Sequence, residues 1–226
     1  MKLKAVAFDL DGTLYPSHRL LGVFSCLALK NTRFFLHFSK VRKIIRTLRP
    51  VDDFHTCQAA LLAESLKISA AEAAARIRTL VYREMEDRFH RVRPYHYVEE
   101  TLATLKAAGY KLAVLSDFPV ARKLAALGLE TYWDCHLCSE QTHYLKPNPE
   151  PFAALAACLE LRPAEILYVG DKYCYDICGA RAAGMLTAHL TRKKNPDSVA
   201  NFTFYSYKNF PTLLNKRIVD NRDIAR

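Results

Sequence analysis

Phe8-Asp9-Leu10-Asp11-Gly12-Thr13-Leu14 is the stretch on which the reading of this chain turns. It follows an apolar run, residues 3–8, short enough to be a buried strand. The strand ends in two carboxylates spaced i and i+2. That spacing points both side chains to one face of a strand, and the chain turns at Asp11-Gly12. Neighbouring carboxylates repel each other, so one holds a proton or a cation stands between them. For an oxygen-only pair at neutral pH the fitting cation is Mg2+, which takes a few carboxylates and keeps several waters.

Outward from this stretch the pattern changes. Residues 15–91 show helical periods and no clear strand. Phe34, Phe38, Val41, Ile45 and Leu48 recur on one helical face. A second helix is predicted over 54–66, and Ser69-Ala-Ala-Glu72 reads as the capping box of a third. From Pro94 strands and helices alternate. Strands are predicted at 110–115, 136–138, 165–169, 186–190 and 202–205, with helices at 97–108, 150–160, 176–183 and 210–216, and one between Pro119 and Gly128. Such alternation argues a Rossmann-like parallel sheet with helices on both faces, here an α/β core (1–14 and 92–226) carrying a small all-α insertion (15–91). Ligands of open parallel sheets bind outside the carboxyl ends of the strands. Asp9, Ser116 and Asp171 each directly follow a strand's apolar run or its closing glycine, so three polar groups share one sheet edge.

With 50% hydrophobic and 25% charged residues among 226, the chain is globular rather than disordered. No uninterrupted apolar run is long enough to span a membrane, and the N-terminus lacks a signal-peptide pattern, which points to the cytoplasm. Seven scattered cysteines fit reduced thiols better than a disulfide framework. The lone Cys135-x-x-Cys138 lacks two further ligands for zinc. The net charge of +10 is concentrated in residues 15–93, which hold 15 Lys and Arg against 7 Asp and Glu. A basic field attracts anions, such as phosphorylated metabolites.

Four motifs in order carry a resemblance to the haloacid dehalogenase-like hydrolase superfamily, phosphoglycolate phosphatase-like members included. They are Asp9-Leu-Asp11-Gly-Thr; Leu112-Ala-Val-Leu-Ser116; Lys146-Pro-Asn-Pro-Glu-Pro-Phe152; and Gly170-Asp171 with Asp176. The resemblance covers 3–14 and about 93–190. It implies a Mg2+-dependent phosphomonoester hydrolase acting on a small phosphorylated metabolite. Asp9 would be the nucleophile and form an aspartyl-phosphate. Asp11 would act as acid on the leaving oxygen and then as base on water. Asp9, the Asp11 carbonyl, Asp171 and Asp176 would hold Mg2+. Ser116, the Asp117 amide and Lys146 would bind the phosphoryl group, next to the mobile turn at Gly12 and Thr13.

The insertion falls where family members carry a helical cap that selects substrate. Arg33, Arg42, Lys43, Arg46 and Arg49 are the candidates there. Two positions depart from the family pattern. Asp117 stands where Asn is frequent, and its carboxylate is expected to turn away from phosphate. Tyr175 replaces a polar residue before Asp176. A phosphomutase keeps the same motifs, and a non-catalytic module binding nucleic acid or an acidic partner through the basic insertion is the alternative of another class. The intact catalytic set speaks against nucleic acid as a partner. Oligomeric state is not legible.

Overall fold

The computed structural model describes residues 2–193 and 195–219. β1 (Ala5–Phe8) leads into α1 (Ser17–Lys30), α2 (Thr32–Ile45), α3 (Phe54–Leu66), α4 (Ala70–Ile77), a π-helical turn at Arg78–Arg83 and α5 (Glu84–Arg88). Alternation then resumes with α6 (Val98–Ala107), β2 (Lys111–Ser116), α7 (Ala121–Leu127), β3 (Cys135–Cys138), α8 (Pro149–Leu159), β4 (Ile166–Gly170), α9 (Cys178–Ala182), β5 (Leu186–Leu190), β6 (Phe202–Phe204) and α10 (Phe210–Leu214). The six strands form one sheet in the order β3-β2-β1-β4-β5-β6, and every pairing is parallel. This is the α/β architecture expected from the strand–helix alternation, with β1 near the centre.

The strands are apolar on both faces because helices cover both. Alternate residues point to opposite layers. Val6, Phe8, Leu112, Val114, Leu167 and Val169 share one core with Val98, Leu102, Leu124, Phe210 and Leu214 of α6, α7 and α10. Ala5, Ala7, Ala113, Leu115, Ile166 and Tyr168 share the other with Phe152, Leu155 and Leu159 of α8 and Ala180 of α9. The three alanines leave room for α8, whose Phe152 ring meets Tyr168 edge-on at 5.2 Å.

The inserted helices build a third core. Phe34, Phe38 and Val41 of α2 pack on Ala59, Leu62 and Leu66 of α3 and on Ala73 and Ile77 of α4. Asp53 Oδ1 accepts from Thr56 N at 2.7 Å and caps α3; Ser69 Oγ accepts from Glu72 N at 3.1 Å and caps α4. α2 stops at Ile45, short of Leu48, and α1 is a helix whose bounds the sequence reading did not give. Phe118, from the loop after β2, packs against this third core.

The expectation of reduced cysteines is corrected at one pair. Cys135 of β3 and Cys158 of α8 form a disulfide across 23 residues. Three residues along a strand reverse the facing of a side chain, so Cys138 points away from Cys135 and the C-x-x-C cannot act as one clamp. α8 runs back antiparallel to β3, which brings its last turn beside the first residue of the strand and supplies a partner that no local spacing reveals. Cys26, Cys57, Cys138, Cys174 and Cys178 are free thiols. Among the described residues no helix is long and apolar enough to cross a membrane.

Phe152 has no exposed surface and touches both α9 and β4. Phe152→Ala is expected to lower unfolding stability by about 3–5 kcal/mol. Urea denaturation followed by far-UV circular dichroism checks this, and a loss under 1 kcal/mol would contradict a packed α8 interface.

Candidate active site

The parallel register carries polar groups to one edge of the sheet. Asp9 extends β1, its N–H donating to Val169 O at 2.8 Å. Ser116 closes β2 on one side of it, and Asp171 follows Gly170 of β4 on the other. Asp176 returns to the same place through a π-helical turn at Tyr173–Ile177. The Asp176 N–H donates to Lys172 O at 2.8 Å, and Lys172 N–H donates to Asp176 Oδ2 at 2.9 Å. Gly170 must lack a side chain, because a Cβ there would lie 2.3 Å from Asp176 Cβ. Lys146 arrives from the loop before α8, joined to Pro147 by a cis peptide bond.

Lys146 Nζ donates to Asp9 Oδ1 at 2.7 Å, to Asp176 Oδ1 at 2.6 Å and to Tyr168 OH at 3.1 Å. Thr13 Oγ1 donates to Asp9 Oδ2 at 3.0 Å. Asp171 Oδ2 accepts from Lys172 Nζ at 2.8 Å, whereas its buried Oδ1 has no partner among the described residues. One oxygen each from Asp9, Asp171 and Asp176 lie within 4.8 Å of one another. An all-oxygen donor set with a buried, unsatisfied carboxylate oxygen fits a hard divalent cation such as Mg2+. The Asp11-Gly12 turn presses against this group. Gly12 has φ +103°, and a Cβ on it would lie 2.6 Å from both Asp171 Oδ2 and Ser17 Oγ.

Burial raises the Asp9 pKa to about 7; Lys146 works against that rise, while Asp176 and Asp11 add to it. Burial also raises Asp171, helped by Asp9, and raises Asp176 against the pull of Lys146. Lys146 is raised as well, but by its partners and against burial. Burial alone would lower it, but Asp176 and Asp9 hold it well above the ordinary lysine value.

Asp11 differs from these. Burial would raise it, yet Lys123 and the hydroxyls of Tyr15 and Ser116 outweigh that and hold it below the usual carboxylate value. Lys123 Nζ donates to its Oδ1 at 2.6 Å and Ser116 Oγ to its Oδ2 at 2.7 Å, with Tyr15 OH also donating to Oδ1. Ser116 thus contacts Asp11, and its Oγ accepts from Phe118 N–H at 3.2 Å.

The arginines of α2 and of the turn after it meet the core. Arg42 is buried, pairs with Glu140 and donates to Gln58 Oε1 at 3.2 Å and Asp117 O at 2.6 Å. Arg46 pairs with Asp117 Oδ2 at 2.5 Å, donates to Lys146 O at 2.8 Å and lies 4.4 Å above the Tyr175 ring. Asp117 Oδ1 accepts from Lys146 N–H at 3.1 Å. Its carboxylate therefore turns to Arg46, as expected from its sequence position, and both departures from the family pattern prove to be partners of one arginine. Arg49 pairs with Glu150 at 2.6 Å. Arg33 donates to Leu66 O at 3.4 Å within the insertion, and Lys43 is exposed.

Sequence reasoning missed Lys123, Tyr15, Tyr168 and Glu140. Lys123 carried a signal, since it lies on the apolar face of α7 with Leu124 and Leu127, where a lysine needs a partner. Tyr15 and Glu140 carried none.

The chain matches the model of the haloacid dehalogenase-like hydrolase family over residues 3–184. It is 31% identical over 204 residues to the glyceraldehyde 3-phosphate phosphatase of Methanopyrus kandleri, covering 86% of this chain and 87% of that one. It is 30% identical over 200 residues to pyrophosphatase PpaX of Bacillus cereus, covering 84% of each. A 2-haloacid dehalogenase from Pseudomonas syringae shares its fold with a TM-score of 0.67 at 23% identity, over 95% of this chain and 99% of the other.

Removing Arg42 leaves the buried Glu140 charge without its ion-pair partner, held only by the Tyr82 hydroxyl at 3.0 Å among the described residues. Arg42→Met is expected to cost about 3–5 kcal/mol. Adding Glu140→Gln should return part of that loss, giving a coupling above about 1 kcal/mol in a denaturation double-mutant cycle. Additive losses would show that the pair does not tie the insertion to the core.

Proposed function

The chain belongs to the haloacid dehalogenase-like hydrolases, and from that premise we propose that it is a phosphatase that hydrolyses small phosphomonoesters with Mg2+ through a phosphoryl group carried on Asp9. The observation that carries this reading is the convergence of Asp9, Asp171 and Asp176 around one lysine, with Asp171 Oδ1 left unsatisfied. The named activities of the two relatives are consistent with it: both split bonds to phosphorus. The dehalogenase likeness is one of fold alone, and the family's dehalogenases lack a carboxylate at the position of Asp11.

In this reading the Asp9 carboxylate attacks phosphorus. The bond from phosphorus to the ester oxygen breaks, its electron pair leaves with that oxygen, and Asp11 supplies the proton. Asp11 then takes a proton from water, which attacks the aspartyl-phosphate; inorganic phosphate departs and Asp9 is regenerated. A Mg2+ held by Asp9, Asp171, Asp176 and the Asp11 carbonyl supplies the neutralising charge that an anionic nucleophile needs near an anionic phosphoryl group. Lys146 favours the ionised form of Asp9 against burial, and Ser116, Asp117 and the Gly12-Thr13 turn border the space for phosphoryl oxygens. The three donors on Asp11 suit its ionised form, the one the second half-reaction needs. The first half-reaction needs its acid form, so these contacts loosen when substrate arrives.

Residues 15–91 serve in this reading as a cap on a core of 1–14 and 92–226, joined by the Arg42 and Arg46 contacts. A cytoplasmic location has five free thiols in its favour and the Cys135–Cys158 disulfide against it.

Two outcomes test the proposal. Hydrolysis of p-nitrophenyl phosphate should require Mg2+, stop with a chelator and vanish in Asp9→Asn, and Lys146→Ala should lower kcat by about a hundred- to thousandfold. Turnover that survives both the chelator and Asp9→Asn would overturn it. The second outcome concerns pH. Asp9, raised to about 7, must lose its proton to bind a cation. As pH falls below that value the proton wins, so the Kd for Mg2+ should rise by up to about tenfold per unit and level off above it. Calorimetric titration of Mg2+ between pH 5.5 and 8.5 (~0.5-unit steps) reads this, and a flat profile would exclude Asp9 as a ligand.

A further inference from the structure

Arg42 of α2 and Arg46 and Arg49 just beyond it already have partners: Glu140, Asp117 and Glu150 in turn. Free positive charge near the site lies elsewhere. Over the carboxyl ends of β4, β5 and β6 there is a cavity of about 1180 Å³. Gly12 and Asp171 form part of its wall, so it borders one of the three candidate metal ligands. A phosphoryl group and one cation do not fill it; its volume is that of a site for an organic ligand. A second, smaller cavity of about 410 Å³, walled by Glu140 and Pro119, includes none of the three clustered carboxylates.

The charge of the large cavity is one-sided. Asp171 is the one carboxylate among the described residues that line it, against the two cations Arg192 and Lys193, with the imidazoles of His18, His96 and His189 beside them. Arg192 and Lys193, directly after β5, are exposed, and neither has an ion-pair partner among the described residues. His189 of β5 is 7% exposed. Its Nε2 lies 3.2 Å from Asp171 O, which ties β5 to the residue after β4 at the cavity wall.

We propose that this cavity holds the part of the substrate distal to the reacting phosphoryl group. Arg192 and Lys193 there select phosphomonoesters that carry a second oxyanion, a carboxylate or a phosphate. The proposal rests on the phosphatase reading of the Asp9 site. With the phosphoryl group at Asp9 and Asp171, the adjoining space of sufficient size among the described residues is this cavity, and its free charges are positive. Two exposed cations acting together on one oxyanion should favour it by about three- to tenfold at low salt, less as salt screens them.

The test is calorimetric titration of the Asp9→Asn protein with Mg2+ present, using two matched pairs. Glycerol 3-phosphate against 3-phosphoglycerate adds a carboxylate; fructose 6-phosphate against fructose 1,6-bisphosphate adds a phosphate. A Kd ratio of about three or more in either pair is expected, and the pair that shows it identifies the oxyanion. Adding Arg192→Ala and Lys193→Ala should bring that ratio to nearly one. KM ratios on the protein with Asp9 intact give the same reading should Asp9→Asn fold poorly. Equal affinities within both pairs, a ratio that survives the double substitution, or no binding of any of the four would overturn the inference. Turnover without charge preference would sink it and leave the phosphatase reading standing. Charge preference in binding without turnover would do the reverse.

Discussion

Lys146 holds two carboxylates at once, Asp9 at 2.7 Å and Asp176 at 2.6 Å, and all three groups are buried. Burying an ion is costly unless a partner and further hydrogen bonds compensate it. Here Tyr168 OH supplies part of that compensation, and it donates in turn to Leu115 O at 3.0 Å. The balance is still incomplete. Asp9, Asp171 and Asp176 bring three potential negative charges to one small volume, and Lys146 offers one positive charge within it; Lys172 reaches Asp171 from the exposed side. The raised pKa values of all three carboxyls express this surplus. A site that buries more negative than positive charge must take up protons or a cation. The demand for protons or a cation thus comes from the charge count of the fold itself.

That same lysine links the sheet to the insertion. Arg46, just beyond α2, donates to the Lys146 carbonyl, and Asp117, which pairs with Arg46, accepts from the Lys146 N–H. Both backbone groups of the residue that poises Asp9 are therefore held by a contact spanning insertion and core. A shift of α2 would move the Lys146 backbone before it touched any substrate. Tyr175 under the Arg46 guanidinium belongs to the same arrangement. Substitutions that look like losses against a family pattern become intelligible once their common partner is seen.

What could be read beforehand followed from periodicity. The six strands stood out as short apolar runs ending in turn residues, and a parallel sheet has little freedom in where it puts strand ends. Asp9, Ser116 and Asp171 could be placed on one edge for that reason. α1 escaped although it carried a signal: Leu20, Val23, Phe24 and Leu27 recur at i, i+3, i+4 and i+7 and face the core, while Leu29 on the other side is exposed. The Cys135–Cys158 bridge and the Arg42–Glu140 pair carried none. Each joins elements far apart in sequence, and a side chain's own neighbours carry no record of the partner that packing will bring. Lys123 lies between these cases: its apolar helix face hinted at a buried amine, but only the fold names Asp11 as its acceptor.

The distribution of charge makes the same point about function. Residues 15–93 hold most of the net +10, and a basic insertion beside a phosphate site suggests cations waiting for substrate. In the structure Asp117, Glu140 and Glu150 meet Arg46, Arg42 and Arg49, so this part of the positive excess joins insertion to core. The rest of the chain is nearly neutral, yet it supplies the unpaired cations beside Asp171 at Arg192 and Lys193. Net charge by segment measures how much positive charge is present, whereas what an anion meets depends on which charges the fold has already neutralised. In this chain those two quantities point to opposite sides of the same cluster of carboxylates.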